Sequence, residues 1–260
     1  MRTKSELPPI EVFDEVGSTN DLAWERARAG APHGAAVRAR VQRAGRGQQG
    51  HTWTSPTGGL YLSVVLRPEV DPRLLSGVSA ACGIGVVRAL RLLGAAEVQL
   101  KWPNDVVCAG KKLGGILTES GRAADRGCAI CGVGINIQTP QVLGGSPGAL
   151  EATGLAAHLP AQTPPDASEL AGLVREGIVA ACDRWASCSQ GVSAPLSGIA
   201  GEYRELLAFR GEPVFLITKD GSASVQGVFL GVDDWGRARV QAEGGKCSIY
   251  DSAQYSLRPA

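Results

Sequence analysis

Residues 60–66 form an almost unbroken apolar run, Leu-Tyr-Leu-Ser-Val-Val-Leu. Because neighbouring side chains of a β-strand point to opposite faces, such a run is typical of a strand that is buried on both faces. A second apolar segment, residues 74–93, is rich in Ala, Val and Leu and predicts a long helix. Together the two segments predict a sheet that is covered by helices.

Shorter patterns predict the other elements. Ser18 reads as a helix start because its side chain can accept from the exposed amides of a first turn, and this helix should end at Gly30. Asp166 with Glu169 fits a capping box at the start of a later helix. Tyr203, Leu206 and Leu207 predict a last helix. Strands are expected at residues 10–13, 36–41, 98–102 and 129–137, with a hairpin at 106–108 and 113–118.

The character of the chain changes at about residue 210. Four short apolar runs follow, joined by turns such as Lys219-Asp220-Gly221. About 50 residues of this kind form a small closed β-barrel. The sequence therefore predicts two domains, residues 1–208 and 209–260.

The bulk composition favours no charged partner. The 260 residues carry a net charge of +1, which gives no strong attraction to nucleic acid or membrane. No apolar stretch is expected to reach the roughly 20 residues that span a bilayer, and residues 1–6 lack the apolar core of a signal peptide, so a cytoplasmic protein is predicted. The arginines between Arg26 and Arg43 are expected on a solvated face.

Seven cysteines in a chain of this length do not indicate a disulfide framework. Cys128 and Cys131 are the one close pair, and they lie in an apolar run without a second such pair or a nearby histidine. They are interpreted as buried thiols, and no tightly bound metal is predicted.

Four short segments are predicted to carry the chemistry, and three of them are rich in glycine. Residues 45–53 read Gly-Arg-Gly-Gln-Gln-Gly-His-Thr-Trp, residues 101–105 read Lys-Trp-Pro-Asn-Asp, residues 110–116 read Gly-Lys-Lys-Leu-Gly-Gly-Ile, and residues 132–136 read Gly-Val-Gly-Ile-Asn. The first segment matches a dinucleotide fingerprint only in its glycines, since no helix start follows it. It is interpreted as a mobile loop that closes over a ligand, with a merely flexible hairpin loop as the alternative.

In this order and spacing the four segments resemble biotin–protein ligases, from about Ser18 to the C-terminus. The resemblance implies an α+β fold, in which a mixed sheet with helices largely on one face (class II synthetase-like and biotin/lipoate ligase-like) precedes a small C-terminal SH3-like barrel. It also implies a two-step reaction. Biotin and ATP, with Mg²⁺, give biotinyl-5'-AMP, and the biotinyl group then passes to a lysine of a biotin carboxyl carrier protein, a subunit of acetyl-CoA carboxylase.

The resemblance and the residue types together indicate the site. The catalytic candidates are Arg46 and Lys112, whose fixed charges can lower a barrier at the α-phosphate. The biotin-binding candidates are Ser18, Thr19, Asn20, Gln42, Gly45, Arg46, Trp53, Lys112 and Gly115. The nucleotide-binding candidates are Gly47, Gln48, Trp53, Asn104, Asp105, Lys112, Gly134 and Asn136. Asp105 is also the candidate Mg²⁺ ligand.

Several candidates have a structural alternative. Lys101 fits a solvated lysine at a strand end, and Trp102 fits a core residue. Asn104 and Asp105 fit a simple turn. Lys111 is expected to lie in a solvated turn, which leaves its neighbour Lys112 as the stronger functional candidate.

The chain departs from the family in its loop. The family often has further arginines there, where this chain has Gln48, Gln49 and His51. Fewer fixed charges predict weaker retention of the adenylate. The family's nucleotide-proximal arginine falls in the region 210–213 of this chain, which contains Arg210. Only 17 residues precede Ser18, too few for the helix-turn-helix module of the family's repressors, so no DNA binding is expected.

Two other functions stay open at this point. A lipoate or octanoate ligase has a related fold and the same adenylate logic, and a biotin-sensing protein would bind biotin without transferring it. The residue pattern at 45–47 and 101–105 favours biotin, and Lys112 favours catalysis. Members of the family often form homodimers by joining their sheets edge to edge. The resemblance therefore allows a homodimer here, and the sequence does not determine the oligomeric state.

Overall fold

The computed structural model describes residues 7–48, 52–124, 126–140, 149–160, 165–218 and 220–260. The predictions for Met1–Glu6, Gln49, His51 and Lys219 therefore lie outside the described residues. The strands of the described chain are β1 (Glu11–Val16), β2 (Ala36–Gln42), β3 (Gly59–Leu66), β4 (Val98–Lys101), β5 (Asp105–Cys108), β6 (Lys111–Ala123), β7 (Arg126–Asn136), β8 (Pro213–Thr218), β9 (Ser224–Val232), β10 (Ala238–Gln241), β11 (Cys247–Tyr250) and β12 (Tyr255–Pro259). The α-helices are α1 (Thr19–Arg28), α2 (Val78–Leu92), α3 (Ala167–Cys188) and α4 (Ala200–Glu205).

The first seven strands form one mixed sheet in the order β1-β2-β3-β7-β6-β5-β4. Strands β1 and β2 are parallel, and the other neighbours are antiparallel. The apolar run of β3 lies near the middle and is buried on both faces, as predicted. Leu60, Leu62 and Leu66 belong to the large core with α2 and α3, whereas Val65 belongs to a second core with α1.

Helix α1 therefore lies on the face opposite to α2 and α3. The expectation of helices largely on one face is confirmed by the two longest helices, α2 and α3, and α1 is the exception. The physical reason is the double-sided burial of the central strands. Ala23 and Ala27 of α1 are fully buried against Val37, Val65 and Ile130.

The long apolar segment is a 3₁₀ helix, Pro72–Gly77, followed by α2. The 21 residues Pro72–Leu92 are long and apolar enough to cross a membrane. The prediction that no apolar stretch reaches this length is therefore wrong. Of the most apolar 18 residues in this segment, 72% are buried inside the protein. There α2 packs against α3 and the sheet. Burial of that kind is the ordinary setting of a core helix.

The cysteine pair and the arginine run have separate outcomes. Cys128 and Cys131 are fully buried in β7 and belong to the two different cores, so they face opposite sides of the sheet and act as small apolar side chains. Arg26, Arg40 and Arg43 lie on the surface beside carboxylates of β1. Arg38 is only 8% exposed, which contradicts the prediction of a fully solvated run.

Five strands, not four, form the C-terminal antiparallel sheet, in the order β11-β10-β9-β8-β12. The missed strand is β12, which contains an arginine and ends on Pro259. The edge strands β11 and β12 are consecutive in the chain, and the rings of Tyr250 and Tyr255 lie 5.1 Å apart in an edge-to-face contact. The sheet is therefore curled like a barrel, although within the described residues no backbone ladder joins its two edges.

This second sheet packs directly on the first. Leu100 of β4 accepts from the Ala208 amide and donates to the Leu206 carbonyl. The indole Nε1 of Trp102, a core residue as predicted, donates to the Gly236 carbonyl at 2.9 Å. These contacts cover the β4 edge and bring β8 and β12 beside the functional residues.

Candidate functional site

A cavity of about 400 Å³ lies on the sheet face that carries α1. Every predicted site residue lines this cavity except Gly45 and Asn136. The second sheet contributes Thr218, Leu257 and Arg258 to the same wall. The structure thus brings most of the predicted site residues together, and it adds a contribution from the C-terminal sheet that the sequence interpretation did not include.

Glycines form the floor of the cavity. A Cβ on Gly132 would lie 2.2 Å from Asn20 Oδ1, and one on Gly134 would lie 2.6 Å from Trp53 Nε1. Gly115 also faces the Trp53 ring, at 3.4 Å from an added Cβ. These glycines leave the sheet surface bare, so that α1 and the Trp53 indole can approach the backbone closely.

Two lysines and one carboxylate form a compact cluster at the β4–β5–β6 end. Lys101 Nζ lies 2.7 Å from Asp105 Oδ2, and Lys112 Nζ lies 2.7 Å from Asp105 Oδ1. The Lys101 side chain is 10% exposed, so it is a buried partner and not the solvated strand-end lysine of the alternative reading. The cluster has a net charge of +1 and therefore attracts anions.

The local sheet geometry places Lys112 in this cluster. The register of β5 and β6 shifts between Val106 and Val107, so that Lys112 pairs with Val107 and Gly114 with Val106. On the other side, the Lys112 amide donates to the Glu151 carbonyl at 2.7 Å. Lys111 instead pairs with exposed Glu151 at 3.0 Å, on the surface as predicted.

Asp105 is ionised under ordinary conditions. Its burial raises the pKa of the carboxyl, but the charges and hydrogen bonds of Lys101 and Lys112 outweigh burial, and the pKa lies below its usual value. Both carboxylate oxygens already contact ammonium groups. Because a cation would have to compete with two ammonium groups for the same oxygens, this carboxylate does not fit the role of a direct Mg²⁺ ligand.

Arg46 belongs to a different, acidic cluster. Its guanidinium lies 2.6 Å from Asp21 of α1 and 3.2 Å from Glu119 of β6. One arginine with two carboxylates gives a net charge of −1. Arg46 thus lines the same cavity as Lys112, but it pairs with two carboxylates that are not among the lining residues.

A hydrogen-bond network joins α1 to β2 and β6. Gln42 Oε1 accepts from the Thr19 amide at 2.8 Å and from the Thr19 hydroxyl at 3.0 Å, while Gln42 Nε2 donates to Ser55. Asn20 Nδ2 donates to Glu119 at 2.8 Å. The three predicted biotin contacts Thr19, Asn20 and Gln42 are therefore brought together and held in fixed orientations.

Ser18 corrects one prediction. It is the N-cap residue of α1, but its side chain makes no capping hydrogen bond. The Gln42 amide oxygen accepts from the first helical amide instead, so β2 supplies the cap that Ser18 was expected to supply. Ser18 is 5% exposed and lines the cavity, as expected of a ligand contact.

The loop residues surround Trp53. The Trp53 amide donates to the Gly45 carbonyl at 2.8 Å, and an added Cβ on Gly45 would lie 2.4 Å from the Trp53 carbonyl oxygen. Gly45 therefore allows the close approach of the Trp53 backbone and does not itself line the cavity. The Trp53 ring lies 5.4 Å from Lys112 Nζ, and its buried Nε1 has no hydrogen-bond partner among the described residues. A buried donor of this kind beside a cavity is suited to a ligand acceptor.

The two predicted asparagines have local structural partners. Asn104 Nδ2 donates to the Ile116 carbonyl at 3.2 Å, so Asn104 does stabilise its turn while lining the cavity. Asn136 Nδ2 donates to the Thr153 carbonyl at 3.1 Å. The Thr153 amide in turn donates to the Lys112 carbonyl. Asn136 therefore supports the segment that pairs with Lys112, and it does not line the cavity.

Sequence reasoning missed a charged residue of the cavity wall, Arg258, and two residues that hydrogen-bond to the wall, Ser63 and Glu119. Ser63 lies in an apolar run, where a small serine gave no signal. Glu119 lies in β6, seven residues beyond Lys112, outside every motif. Arg258 lies on the missed strand β12, whereas the arginine that was considered, Arg210, donates to the Arg204 carbonyl.

A larger cavity, of about 1690 Å³, lies at the β6–β7 hairpin end of the sheet. None of the predicted site residues lines it. Arg67 in its wall donates to the carbonyls of Ala27, Ala31 and Ala123, so this guanidinium ties loops together. We place the chemistry in the smaller cavity because the charged clusters and the buried polar network converge there.

Comparisons with known proteins identify the family of the chain. Residues 12–136 match the family described as "Biotin/lipoate A/B protein ligase family". The "Biotin--[acetyl-CoA-carboxylase] ligase" of Paracoccus denitrificans is 33% identical over 232 residues, which cover 81% of this chain and 85% of that protein. A crystal structure, "Biotin protein ligase from Aquifex aeolicus in complex with biotin and ATP", has a TM-score of 0.76 and 27% identity over 96% of this chain and 99% of that one.

Other relatives are longer than the matched region. The "Bifunctional ligase/repressor BirA" of Escherichia coli is 39% identical over 135 residues, which cover 51% of this chain and 42% of that protein. The match thus spans about two fifths of the length of such a relative.

Proposed function

This chain belongs to the biotin/lipoate A/B protein ligase family, and we propose that it is an ATP-dependent ligase that activates biotin as biotinyl-5'-AMP and transfers the biotinyl group to a lysine of a biotin carboxyl carrier protein. The carrier belongs to acetyl-CoA carboxylase, as the name of the Paracoccus denitrificans relative suggests. Biotin and ATP are the ligands named for the Aquifex aeolicus structure.

The polarity of the cavity carries this proposal. The Lys101–Asp105–Lys112 cluster in the cavity wall is positive, whereas at the other end the charge of Arg46 is offset by Asp21 and Glu119, which are not among the lining residues. Biotin is an acid at one end and a neutral ring with two N–H groups at the other. Its carboxylate and the ATP phosphates suit the positive end, and its neutral ring suits the end lined by the hydrogen-bonding groups of Thr19, Asn20 and Gln42.

The first step joins the carboxylate to the nucleotide. A biotin carboxylate oxygen attacks the α-phosphorus of ATP, the bond to the bridging oxygen breaks, and pyrophosphate leaves with the electron pair. Lys112 lies half-exposed at the cavity wall, and Asp105 directs its ammonium. That charge stabilises the negative charge that gathers on the phosphorus oxygens and weakens the repulsion between two anions.

The second step transfers the acyl group. The uncharged amine of the carrier lysine attacks the carbonyl carbon of the mixed anhydride, the carbonyl–oxygen bond breaks, and AMP leaves while the nitrogen loses a proton. Trp53 covers the bare floor at Gly115 and Gly134. Exclusion of water by this indole protects the anhydride from hydrolysis until the amine arrives.

Mg²⁺ enters this account as part of the substrate, MgATP. Asp105 is occupied by two lysines, and Asp21 is occupied by Arg46. Mg²⁺ usually keeps several waters and binds through substrate phosphates, so it needs no dedicated protein cage here.

The test is incubation of the full chain with biotin, MgATP and a purified carrier domain, read by mass spectrometry of the carrier. We expect the mass of one biotinyl group on one carrier lysine, and none when ATP is omitted. Parallel reactions with lipoate and octanoate test the ligase alternative of the same family. Binding of biotin without any modified carrier or adenylate would favour the sensing alternative instead.

A further inference from the structure

Ser63 is a fully buried polar residue at the centre of the ligand-facing network. It is 0% exposed, and its neighbours in β3 are apolar. Its hydroxyl oxygen lies 2.8 Å from Thr19 Oγ1 and 2.6 Å from Asn20 Oδ1. Both contacts are with residues of the cavity wall.

The surroundings fix the orientation of both amides in this network. Asn20 Nδ2 donates to the Glu119 carboxylate and faces the Leu117 carbonyl, neither of which can donate to it. Asn20 Oδ1 must therefore face Ser63. Gln42 Oε1 must face the Thr19 amide, which is a donor, so the Gln42 nitrogen points to Ser55.

The network then has more acceptors than protons. Three oxygen–oxygen contacts join Asn20 Oδ1, Ser63 Oγ, Thr19 Oγ1 and Gln42 Oε1, at 2.6, 2.8 and 3.0 Å. The two amide oxygens carry no proton, and each hydroxyl carries one. Two protons cannot fill three contacts, so acceptor capacity is left over at this end of the cavity.

We propose that Ser63 is a positioning residue that holds Thr19 and Asn20 as hydrogen-bond acceptors, so that this end of the cavity selects acids whose far end carries N–H groups. The proposal rests on the proposed function, because it names what that site recognises at its ring-binding end. A cyclic urea supplies two such donors, whereas a dithiolane ring supplies none. An acceptor-rich site without a matching donor leaves its buried oxygens unpaired, which disfavours the wrong ligand.

The variants that test this are Ser63→Ala, which removes the hydroxyl, and Ser63→Cys, which keeps a similar size with a weak donor. Ser189→Ala is the matched control, since Ser189 is also buried and donates one hydrogen bond, to the Trp185 carbonyl, outside the site. Thermal unfolding of each protein shows which variants are folded. If Ser63→Ala fails to fold, Ser63→Cys carries the test.

Calorimetry without ATP gives the Kd of biotin and of desthiobiotin, which keeps both N–H groups. We expect both Kd values to rise about tenfold in Ser63→Ala, by a smaller factor in Ser63→Cys, and not in Ser189→Ala. The KM for ATP should stay within about twofold, because among the described residues no hydrogen bond joins Ser63 to the lysine cluster.

Three results would overturn the proposal. They are an unchanged biotin Kd in folded Ser63 variants, an equal rise in the biotin Kd and the ATP KM, and lipoate displacing biotin from the wild type as well as desthiobiotin does. The binding readout is independent of catalysis. A wild type that binds biotin but makes no adenylate would therefore refute the proposed function and leave the Ser63 inference standing.

Discussion

Lys112 is the residue with the most direct part in the proposed chemistry. We expect Lys112→Gln to lower adenylate formation by about 10²–10³, because it removes a fixed charge aimed at the reacting phosphate. The measurement is the amount of biotinyl-adenylate in acid-quenched single-turnover reactions. Lys111→Gln is the control, since its surface pair with Glu151 lies outside the cavity. Near wild-type adenylate formation by Lys112→Gln would refute the assignment.

Gln48 tests the loss of charge in the loop. It lies in the cavity wall, where the family often carries arginine. We expect Gln48→Arg to slow the release of pre-formed adenylate. A hydrogen bond from a charged donor to the phosphate contributes roughly 1.5–3 kcal/mol to binding, and the gain is smaller if the neutral Gln48 amide already makes a hydrogen bond there. The dissociation rate of labelled adenylate measures this, and the biotin Kd without ATP should change much less. An equal or faster rate in the variant would contradict the prediction.

At the scale of single residues, the sequence identifies candidates that belong to a motif. Lys112, Asp105 and Trp53 are such candidates, because each lies in or beside a segment that combines charged residues with glycine. Ser63 and Glu119 could not be found this way, since their importance comes from the approach of β3 and β6 to α1. The capping role expected of Ser18 was wrong for the same reason, because a tertiary acceptor replaces the local one.

The glycines of β7 offer a test at the scale of an element. A Cβ on Gly132 meets Asn20 at 2.2 Å, whereas a Cβ on Gly127 in the same strand meets nothing within 4 Å. We expect Gly132→Ala to raise the KM for biotin more than about tenfold by displacing Asn20, with Gly127→Ala within about twofold of wild type. Initial rates at varied biotin give both values. A Gly132→Ala protein with normal biotin KM would show that the close approach of α1 to β7 is dispensable.

The elements themselves were mostly predictable. The apolar run of β3, the β5–β6 hairpin and the Asp166 cap of α3 follow from local periodicity and composition. Two features were not, namely the placement of α1 on the second face and the strand β12. The position of α1 depends on which face of the sheet the helix packs against, and local sequence does not determine this. Strand β12 contains an arginine and a proline, which interrupt the alternation expected of a strand.

At the scale of the whole molecule, the larger of the two cores extends across both sheets, and Tyr203 of α4 lies in it. Burial raises the pKa of Tyr203 to about 12. In the unfolded chain the phenol ionises near its usual pKa of about 10. Stability from the neutral phenol is therefore complete below about pH 10 and is lost as the pH rises toward 12.

Tyr203→Phe should remove this part of the alkaline destabilisation, which amounts to about 2–3 kcal/mol at pH 12 for a shift of this size. Denaturant unfolding of wild type and variant between pH 8 and pH 12, in steps of about half a unit, measures it. The two proteins should differ in slope above about pH 10 and run parallel below it. Parallel curves over the whole range would show that Tyr203 does not contribute.

Biotin-dependent exchange of labelled pyrophosphate into ATP tests the central claim most directly, because it reports formation of the adenylate without the carrier. We expect the full chain with MgATP to catalyse exchange when biotin is present, not when lipoate or octanoate replaces it, and Lys112→Gln to lose it. Folded wild-type protein that binds biotin yet catalyses no biotin-dependent exchange would contradict the account.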